Sequence, residues 1–148
     1  MRRLPTDVVV LMSNYGHRSL LLNALYTLSS QNIPALVFAL SPELCYDGVV
    51  AGTATACYTL SQIHLKTLCG DCGTRDVWGA GFADVAVIKP AVVRSVLASG
   101  KNVVWMDTDV VVLGDFWSVL RDGEEDVVIQ ASSGPGSEEI YFREEVRQ

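Results

Sequence analysis

The chain has few positive charges, few histidines and no long uninterrupted apolar run. Its 148 residues carry 11 Lys and Arg against 17 Asp and Glu, a formal net charge of −6. Because no basic stripe is available to neutralise phosphates, the sequence argues against a nucleic-acid-binding surface. No apolar stretch has the features of a transmembrane helix or a signal peptide, so we expect no membrane segment in this chain. His17 and His64 are isolated, which favours surface or capping roles over metal binding or base catalysis.

The apolar content of 49% is sufficient for one sizeable domain over residues 1–148. Strand and helix patterns alternate along the chain, which favours a mostly parallel, twisted α/β sheet with flanking helices. The expected elements are a strand at 8–12, a helix at 19–30, a strand at 36–40, a short helix from 42 to about 48, and a short strand at 126–130. Residues 49–81 give no clear signal. Residues 132–137 have the composition of a loop, and 138–148 form a charged tail.

Two carboxylates, Asp107 and Asp109, interrupt the apolar run at 103–113. In a buried strand an ionised carboxylate costs several kcal/mol, in order of magnitude, unless it is paired or metal-bound. Residues i and i+2 of a strand lie on one side about 6 to 7 Å apart, where two anions repel by roughly 3 kcal/mol at a dielectric of about 20. This pattern suits Mg²⁺ or Mn²⁺, which complete their coordination with water and substrate phosphates.

The segment before this run has the signals of a helix. Pro90 is expected to open it, residues 92–97 supply an apolar face, and Gly100 is expected to end it in the left-handed conformation. Asp107 and Asp109 then lie at the carboxyl end of the next strand, where open α/β sheets bind their ligands.

Four sequence features follow one another along this part of the chain: Lys89-Pro90, Gly100, Asp107-Thr108-Asp109 and Asp115. The series, within residues 81–116, resembles the core of the nucleotide-diphospho-sugar transferase domain of retaining plant and protist glycosyltransferases. Members of that family include cell-wall xylosyl- and arabinosyltransferases. The first strand with Ser13-Asn14-Tyr15 after it, and Asn23 in a leucine-rich helix, are also similar to the family's opening strand and first helix.

The resemblance implies a GT-A-type fold in which Asp107 and Asp109 bind the Mn²⁺, or Mg²⁺, that carries the diphosphate of a UDP-sugar. It further implies sugar transfer to a hydroxyl of a glycan or glycoprotein acceptor, with retention, in the Golgi lumen. It identifies no catalytic nucleophile in this chain. The candidates for donor binding are Ser13, Asn14, Lys89 and Thr108. Simpler roles stay open for three of these: Ser13 and Asn14 could cap the next helix, and Lys89 could merely flank a helix start.

The sequence also departs from the family. Ser41 follows the second strand where many members have an acidic residue, and Phe116 stands where members usually have Pro. The family continues with a long acceptor-binding and catalytic half, whereas only residues 110–148 follow Asp109 here. We therefore expect the donor-binding part of a GT-A-like fold that is incomplete in its C-terminal half.

Three other interpretations of the two aspartates are open. In haloacid-dehalogenase-type phosphatases a similar string ends a strand, and there Asp107 would be the nucleophile and Asp109 the acid/base with Mg²⁺. That motif normally sits on the first strand, and its partner residues need more chain than 110–148 supplies. The chain could also be a non-catalytic nucleotide-sugar-binding fragment, or the aspartates could simply end a strand in a turn.

The cysteines are Cys45, Cys57, Cys69 and Cys72. The Cys69-x-x-Cys72 pair has three interpretations: half of a zinc site, a redox motif, or a loop pair that is disulfide-linked if the protein is luminal. Cys45 and Cys57 do not form a second close pair at zinc-site spacing, and no strand–helix signal surrounds Cys69-x-x-Cys72. The loop pair is the interpretation that the sequence favours.

Overall fold

The computed structural model describes residues 6–60, 82–114, 129–130 and 141–142. The chain divides into two compact units, Met1–Leu113 and Gly114–Gln148. The described elements of the first unit are, in chain order, β1 (Asp7–Ser13), a 3₁₀ helix (Tyr15–His17), α1 (Arg18–Ser30), β2 (Ala35–Ala39), α2 (Glu43–Tyr46), α3 (Gly48–Thr53), β3 (Ala56–Thr59), α4 (Phe82–Leu97) and β4 (Asn102–Trp105). In the second unit, β5 (Ile129–Gln130) pairs antiparallel with β6 (Tyr141–Phe142).

The four described strands of the first unit form one parallel sheet in the order β3-β2-β1-β4. Val10 of β1 pairs with Leu36 of β2 on one side and with Trp105 of β4 on the other. Because parallel strands need crossover connections, helices separate them along the chain. The predicted α/β class with a parallel sheet and flanking helices is confirmed.

Strand β1 lies inside the sheet, and its residues Val8–Leu11 are fully buried. Alternate residues of a strand face opposite sides of the sheet, so β1 supplies apolar side chains to both faces. One face forms an apolar cluster with α4, made of Val8, Val10, Leu36, Leu40, Ile88, Val92 and Val96. Helix α1 contacts β1 and β2 and buries Leu21, Leu25 and Leu28. Burial of each large apolar side chain contributes about 1.5–3 kcal/mol, which holds both helices on the sheet.

The predicted elements at 8–12, 19–30 and 36–40 correspond to β1, α1 and β2, within a residue at each end. The short helix expected from residue 42 is present as α2, and a second one, α3, follows it at once. Gly100 has φ +75° and ends the turn after α4, as the sequence predicts. The strand expected at 126–130 overlaps β5. The Cys69-Cys72 pair, the loop expected at 132–137 and Asp115 lie outside the described residues.

The prediction that Pro90 opens a helix is wrong, because α4 begins at Phe82 and carries Pro90 in its interior. Proline there removes one helical hydrogen bond and costs about 3 kcal/mol. Ile88, Val92 and Val96 are spaced four residues apart and are all buried against the sheet. Their packing across the proline keeps the helix continuous, which is a tertiary effect that a local signal does not contain.

The expectation that Asp107 and Asp109 interrupt a buried strand within the apolar run at 103–113 is also wrong. Strand β4 ends at Trp105, and the N–H of Val110 donates to the carbonyl of Asp107 at 3.3 Å, which closes a turn over Asp107-Thr108-Asp109. Val110, Val111 and Leu113 are exposed and do not continue the sheet. Aspartate favours turns because its carboxylate can accept local backbone hydrogen bonds. The argument that both aspartates leave a strand on the same side therefore does not apply.

A disulfide bond joins Cys45 of α2 to Cys57 of β3, with the two Cα atoms 5.5 Å apart. Strand β3 was not expected from the sequence because its four residues, Ala56–Thr59, show no alternation of apolar and polar types. It pairs with β2 alone, as an edge strand of the described sheet. The bond therefore ties this edge strand to the helix that follows β2. Among the described helices, none combines the length and the hydropathy needed to cross a membrane.

Candidate functional site

The strand order places the carboxyl ends of β1 and β4 side by side. From β1 the chain moves outward through β2 and β3, and then returns across the sheet to β4 on the other side of β1. The order therefore reverses between β1 and β4. Open parallel sheets bind ligands in the crevice at this point, outside the carboxyl ends of the strands. At this edge Ser13 is the last residue of β1 and Asn14 comes next, while Asp107 lies two residues beyond the end of β4.

One carboxylate oxygen of Asp107 accepts two hydrogen bonds. This oxygen, Oδ1, accepts from the ammonium of Lys89 at 2.7 Å and from the indole N–H of Trp105 at 3.0 Å. Both are well-formed bonds, and the one from Lys89 is charge-assisted. The Asp107 side chain keeps 56% of its surface exposed, so solvent and ligands reach the carboxylate.

Asp107 is ionised at neutral pH. Partial burial raises the pKa of its carboxyl, but the hydrogen bonds from Lys89 and Trp105 and the positive charge of Lys89 lower it by more. The net effect is a pKa below the ordinary value for aspartic acid. Asp107 therefore carries a negative charge, paired with Lys89, at the carboxyl edge of the sheet.

Lys89 reaches this carboxylate from the middle of α4, next to the buried Ile88. Its ammonium also lies 5.3 Å from the centre of the Trp105 ring, a distance at which cation–π attraction operates. The Lys89 side chain is 34% exposed. Helix packing thus places one cation against the aspartate and the indole together, and Lys89 belongs to the site that contains Asp107.

Thr108 and Asp109 form the centre of the turn after β4. Asp109 is exposed and Thr108 is partly buried. Asp107 and Asp109 are thus brought into one turn, with only Thr108 between them. Within the described residues, no group of three or more His, Cys, Asp and Glu side chains could hold a metal ion. The turn offers two carboxylates and a hydroxyl, which are oxygen ligands of the kind that Mg²⁺ and Mn²⁺ take in proteins.

The chain beyond this turn is anchored to α1 by Thr27. The hydroxyl of Thr27 donates to the carbonyl of Ala24 at 2.9 Å and accepts from the N–H of Val112 at 3.1 Å. Val112 is buried, whereas its neighbours Val111 and Leu113 are exposed. The Thr27 side chain of α1 therefore holds the segment that follows Asp109 in place.

Replacing Thr27 by valine is expected to lower the free energy of unfolding by about 1 kcal/mol, because the N–H of Val112 loses its partner while the shape is kept. Urea unfolding followed by circular dichroism measures this change. Thr27→Ser retains the hydroxyl and serves as the control. Equal stability of the valine and serine variants would contradict the anchoring role.

Ser13 and Asn14 are at the expected edge but are buried, with 5% and 4% of their surface exposed. The Ser13 hydroxyl donates to the carbonyl of Asn14. The side-chain oxygen of Asn14 accepts from the N–H of His17 at 3.1 Å, which caps the 3₁₀ helix. The capping role that the sequence left open for Asn14 is therefore present.

His17 and Ser41 belong to this edge although the sequence did not single them out for it. The oxygen of Asn14 that accepts the backbone N–H of His17 also lies 2.9 Å from the ring Nδ1 of His17. Since a backbone N–H can only donate, that Asn14 atom is the side-chain oxygen. A carbonyl oxygen can only accept, so the ring Nδ1 must carry the proton of this second hydrogen bond. In the neutral ring, Nε2 is then the acceptor. Ser41 is buried and accepts from the N–H of Tyr15 at 2.8 Å, which joins the loops after β1 and β2.

A second ion pair supports the same loops. Arg18, at the start of α1, donates to Asp47 from Nε at 2.6 Å and from Nη2 at 3.2 Å. Asp47 also accepts from the N–H groups of Val49 and Val50 and so caps α3. The hydrogen bond from Arg18, followed by those from the backbone, lowers the pKa of Asp47 to about 2.

A depressed pKa in the folded state means that Asp47 stabilises the fold above its ordinary pKa of 3.8 and loses this effect as the pH falls through about 2. Asp47→Asn keeps a capping side chain but removes the charge. We expect its Tm to lie a few degrees below that of the unmodified chain at pH 7, and the difference to shrink as the pH is lowered from 3.8 to 2. A Tm difference that is independent of pH over this range would contradict the assignment.

Comparison of the chain with protein-family models, with curated proteins and with solved structures found no match. The residues of the site are therefore the basis on which a function is proposed.

Proposed function

We propose that this chain is the nucleotide-sugar-binding part of a glycosyltransferase with a GT-A-like fold. The observation that carries the proposal is the ionised, exposed Asp107 at the carboxyl end of β4, beside the end of β1 where the strand order reverses. This is the position at which parallel α/β sheets bind nucleotides. Asp109 lies in the same turn and adds a second carboxylate.

In this proposal Asp107 and Asp109 hold Mn²⁺ or Mg²⁺ through oxygen atoms, and the donor is a UDP-sugar. The cation, when bound, offsets the negative charge that gathers on the diphosphate as it leaves. Lys89 supplies a positive charge within reach of the phosphates, and Thr108 offers a hydroxyl between the two carboxylates. Ser13 and Asn14 form the floor of the crevice at the end of β1. The acceptor is the hydroxyl of a glycan or glycoprotein.

The Cys45–Cys57 disulfide supports a luminal location, which we propose is the Golgi. Disulfide bonds persist in oxidising compartments and are rare in the cytosol.

The phosphatase interpretation is less well supported by the geometry. In that family the nucleophilic aspartate is on the first strand, whereas Asp107 follows β4, the fourth in chain order of the described strands in the parallel sheet. In addition, Oδ1 of Asp107 already accepts two hydrogen bonds, which lowers the basicity of the carboxylate as a nucleophile.

The two functions are separated by offering both kinds of substrate to the purified chain. Calorimetric titration with UDP and a panel of UDP-sugars, with Mn²⁺ and with EDTA, measures donor binding. Release of p-nitrophenol from p-nitrophenyl phosphate with Mg²⁺ measures phosphatase activity. We expect donor binding that requires the cation and no phosphatase activity. Phosphate release that disappears in Asp107→Asn, without donor binding, would establish the phosphatase instead.

A further inference from the structure

Among the described residues, both hydrogen bonds to the Asp107 carboxylate are made to the same oxygen. Lys89 and Trp105 both donate to Oδ1, at 2.7 and 3.0 Å. In the described part of the chain, Oδ2 has no such donor, and the side chain is more than half exposed. An incoming cation therefore meets Oδ2, while Lys89 remains on the opposite oxygen of the same group.

When a divalent cation binds Asp107, Lys89 and the cation are two positive charges beside the same carboxylate. Their repulsion opposes binding of the cation for as long as the ammonium stays beside Oδ1. The ammonium can move, because its side chain is one-third exposed and a lysine stem has several rotatable bonds. The Trp105 ring, whose centre is 5.3 Å from the ammonium, offers it a second attractive contact beside the carboxylate.

We propose that Lys89 is an internal counter-cation that exchanges Asp107 for a phosphate group of the nucleotide when the divalent cation binds. The inference rests on the proposed function and adds a property to it. Without nucleotide, the Lys89–Asp107 pair weakens cation binding. With nucleotide, the phosphates offer Lys89 a second anion, so the repulsion is relieved and a new charge-assisted hydrogen bond forms. Cation and diphosphate therefore bind cooperatively, each raising the affinity for the other by the same factor.

The test replaces Lys89 by methionine, which keeps the length and apolar stem and removes the charge. Free Mn²⁺ is measured by electron paramagnetic resonance, and UDP affinity by calorimetry at saturating Mn²⁺. We expect Lys89→Met to bind Mn²⁺ alone about tenfold more tightly and to bind UDP in the presence of Mn²⁺ about tenfold more weakly. The cooperativity factor between the two ligands falls accordingly.

Two control variants make the result specific. Lys89→Arg retains the charge and is expected to bind Mn²⁺ alone more weakly than Lys89→Met does, and to bind UDP with Mn²⁺ more tightly than Lys89→Met does. Lys101→Met removes the same charge just before β4, at the opposite edge of the sheet, and is expected to change neither affinity.

The outcomes test the counter-cation role of Lys89 separately from the proposed nucleotide-sugar binding. If the unmodified chain binds Mn²⁺ and UDP together but Lys89→Met alters neither affinity, or weakens both, the counter-cation role is wrong and the proposed function stands. If the unmodified chain binds neither ligand, both proposals are wrong. Tighter Mn²⁺ binding with weaker UDP binding in Lys89→Met supports the exchange.

Discussion

Asp107→Asn is expected to weaken Mn²⁺-dependent UDP binding by about 100-fold or more, because a cation site with two protein carboxylates loses one of its charges. Asparagine keeps the shape and can still accept from Trp105 through its side-chain oxygen. The exposed position predicts little change in the free energy of unfolding. Calorimetric titration of UDP at saturating Mn²⁺ measures the loss, and thermal unfolding followed by circular dichroism checks that the fold is intact.

A matched control is available at the other end of the same two strands. Asp7 is the first residue of β1 and accepts from the side chain of Asn102, the first residue of β4. Asp7→Asn removes an identical charge at the amino edge of the sheet and is expected to bind UDP normally. Equal UDP affinities in Asp107→Asn and Asp7→Asn would contradict the site assignment.

Removing the Cys45–Cys57 disulfide is expected to cost about 3 kcal/mol of unfolding free energy, because the bond closes a short loop and restricts the unfolded chain. For a domain of this size such a loss lowers the Tm by roughly 10 °C. The effect is measured by thermal and urea unfolding of the double variant Cys45→Ser, Cys57→Ser.

Each single variant provides an internal check. Cys45→Ser and Cys57→Ser break the same bond, so both are expected to lose nearly as much stability as the double variant and to expose one additional reactive thiol. Double-variant stability equal to that of the unmodified chain would contradict a structural role for the bond and would remove its support for a luminal location.

The parts of the fold that the sequence predicts are those with strong local signals. Strand β1 is a continuous apolar run, as strands buried on both faces are, and α1 carries Leu21, Leu25 and Leu28 at helical spacing. Gly100 marks its turn because a positive φ favours glycine. In each case the residues themselves contain the physical cause of the structure.

The errors arise where distant contacts override local signals. Pro90 lies inside α4 because residues on both sides of the proline pack on the sheet: Ile88 before it, and Val92 and Val96 after it. Among the described strands β3 is short and pairs only with β2, so its place depends on a partner far away in sequence. The apolar residues after Asp109 have strand propensity, yet the turn at Asp107 directs them out of the sheet.

The candidate site is predicted in outline, and its internal contacts are not. The sequence places Asp107 at the carboxyl end of a strand and selects Lys89 as a residue near the same pocket. It does not show that Lys89 and Trp105 share one oxygen of Asp107, because that contact depends on how α4 lies against β4. Asn14 with His17, and Ser41 with Tyr15, form their bonds only after the loops at this edge have come together.

The most direct measurement uses the indole proton of Trp105, which is hydrogen-bonded to Asp107 and therefore reports on any paramagnetic ion bound there. The chain has three tryptophans, and the spectrum of Trp105→Phe identifies this resonance. In the presence of UDP, substoichiometric Mn²⁺ should broaden the Trp105 indole signal, while the same amount of Mg²⁺ leaves its width unchanged. A Trp105 indole signal that stays sharp with saturating Mn²⁺ and UDP would contradict the proposed nucleotide-sugar site.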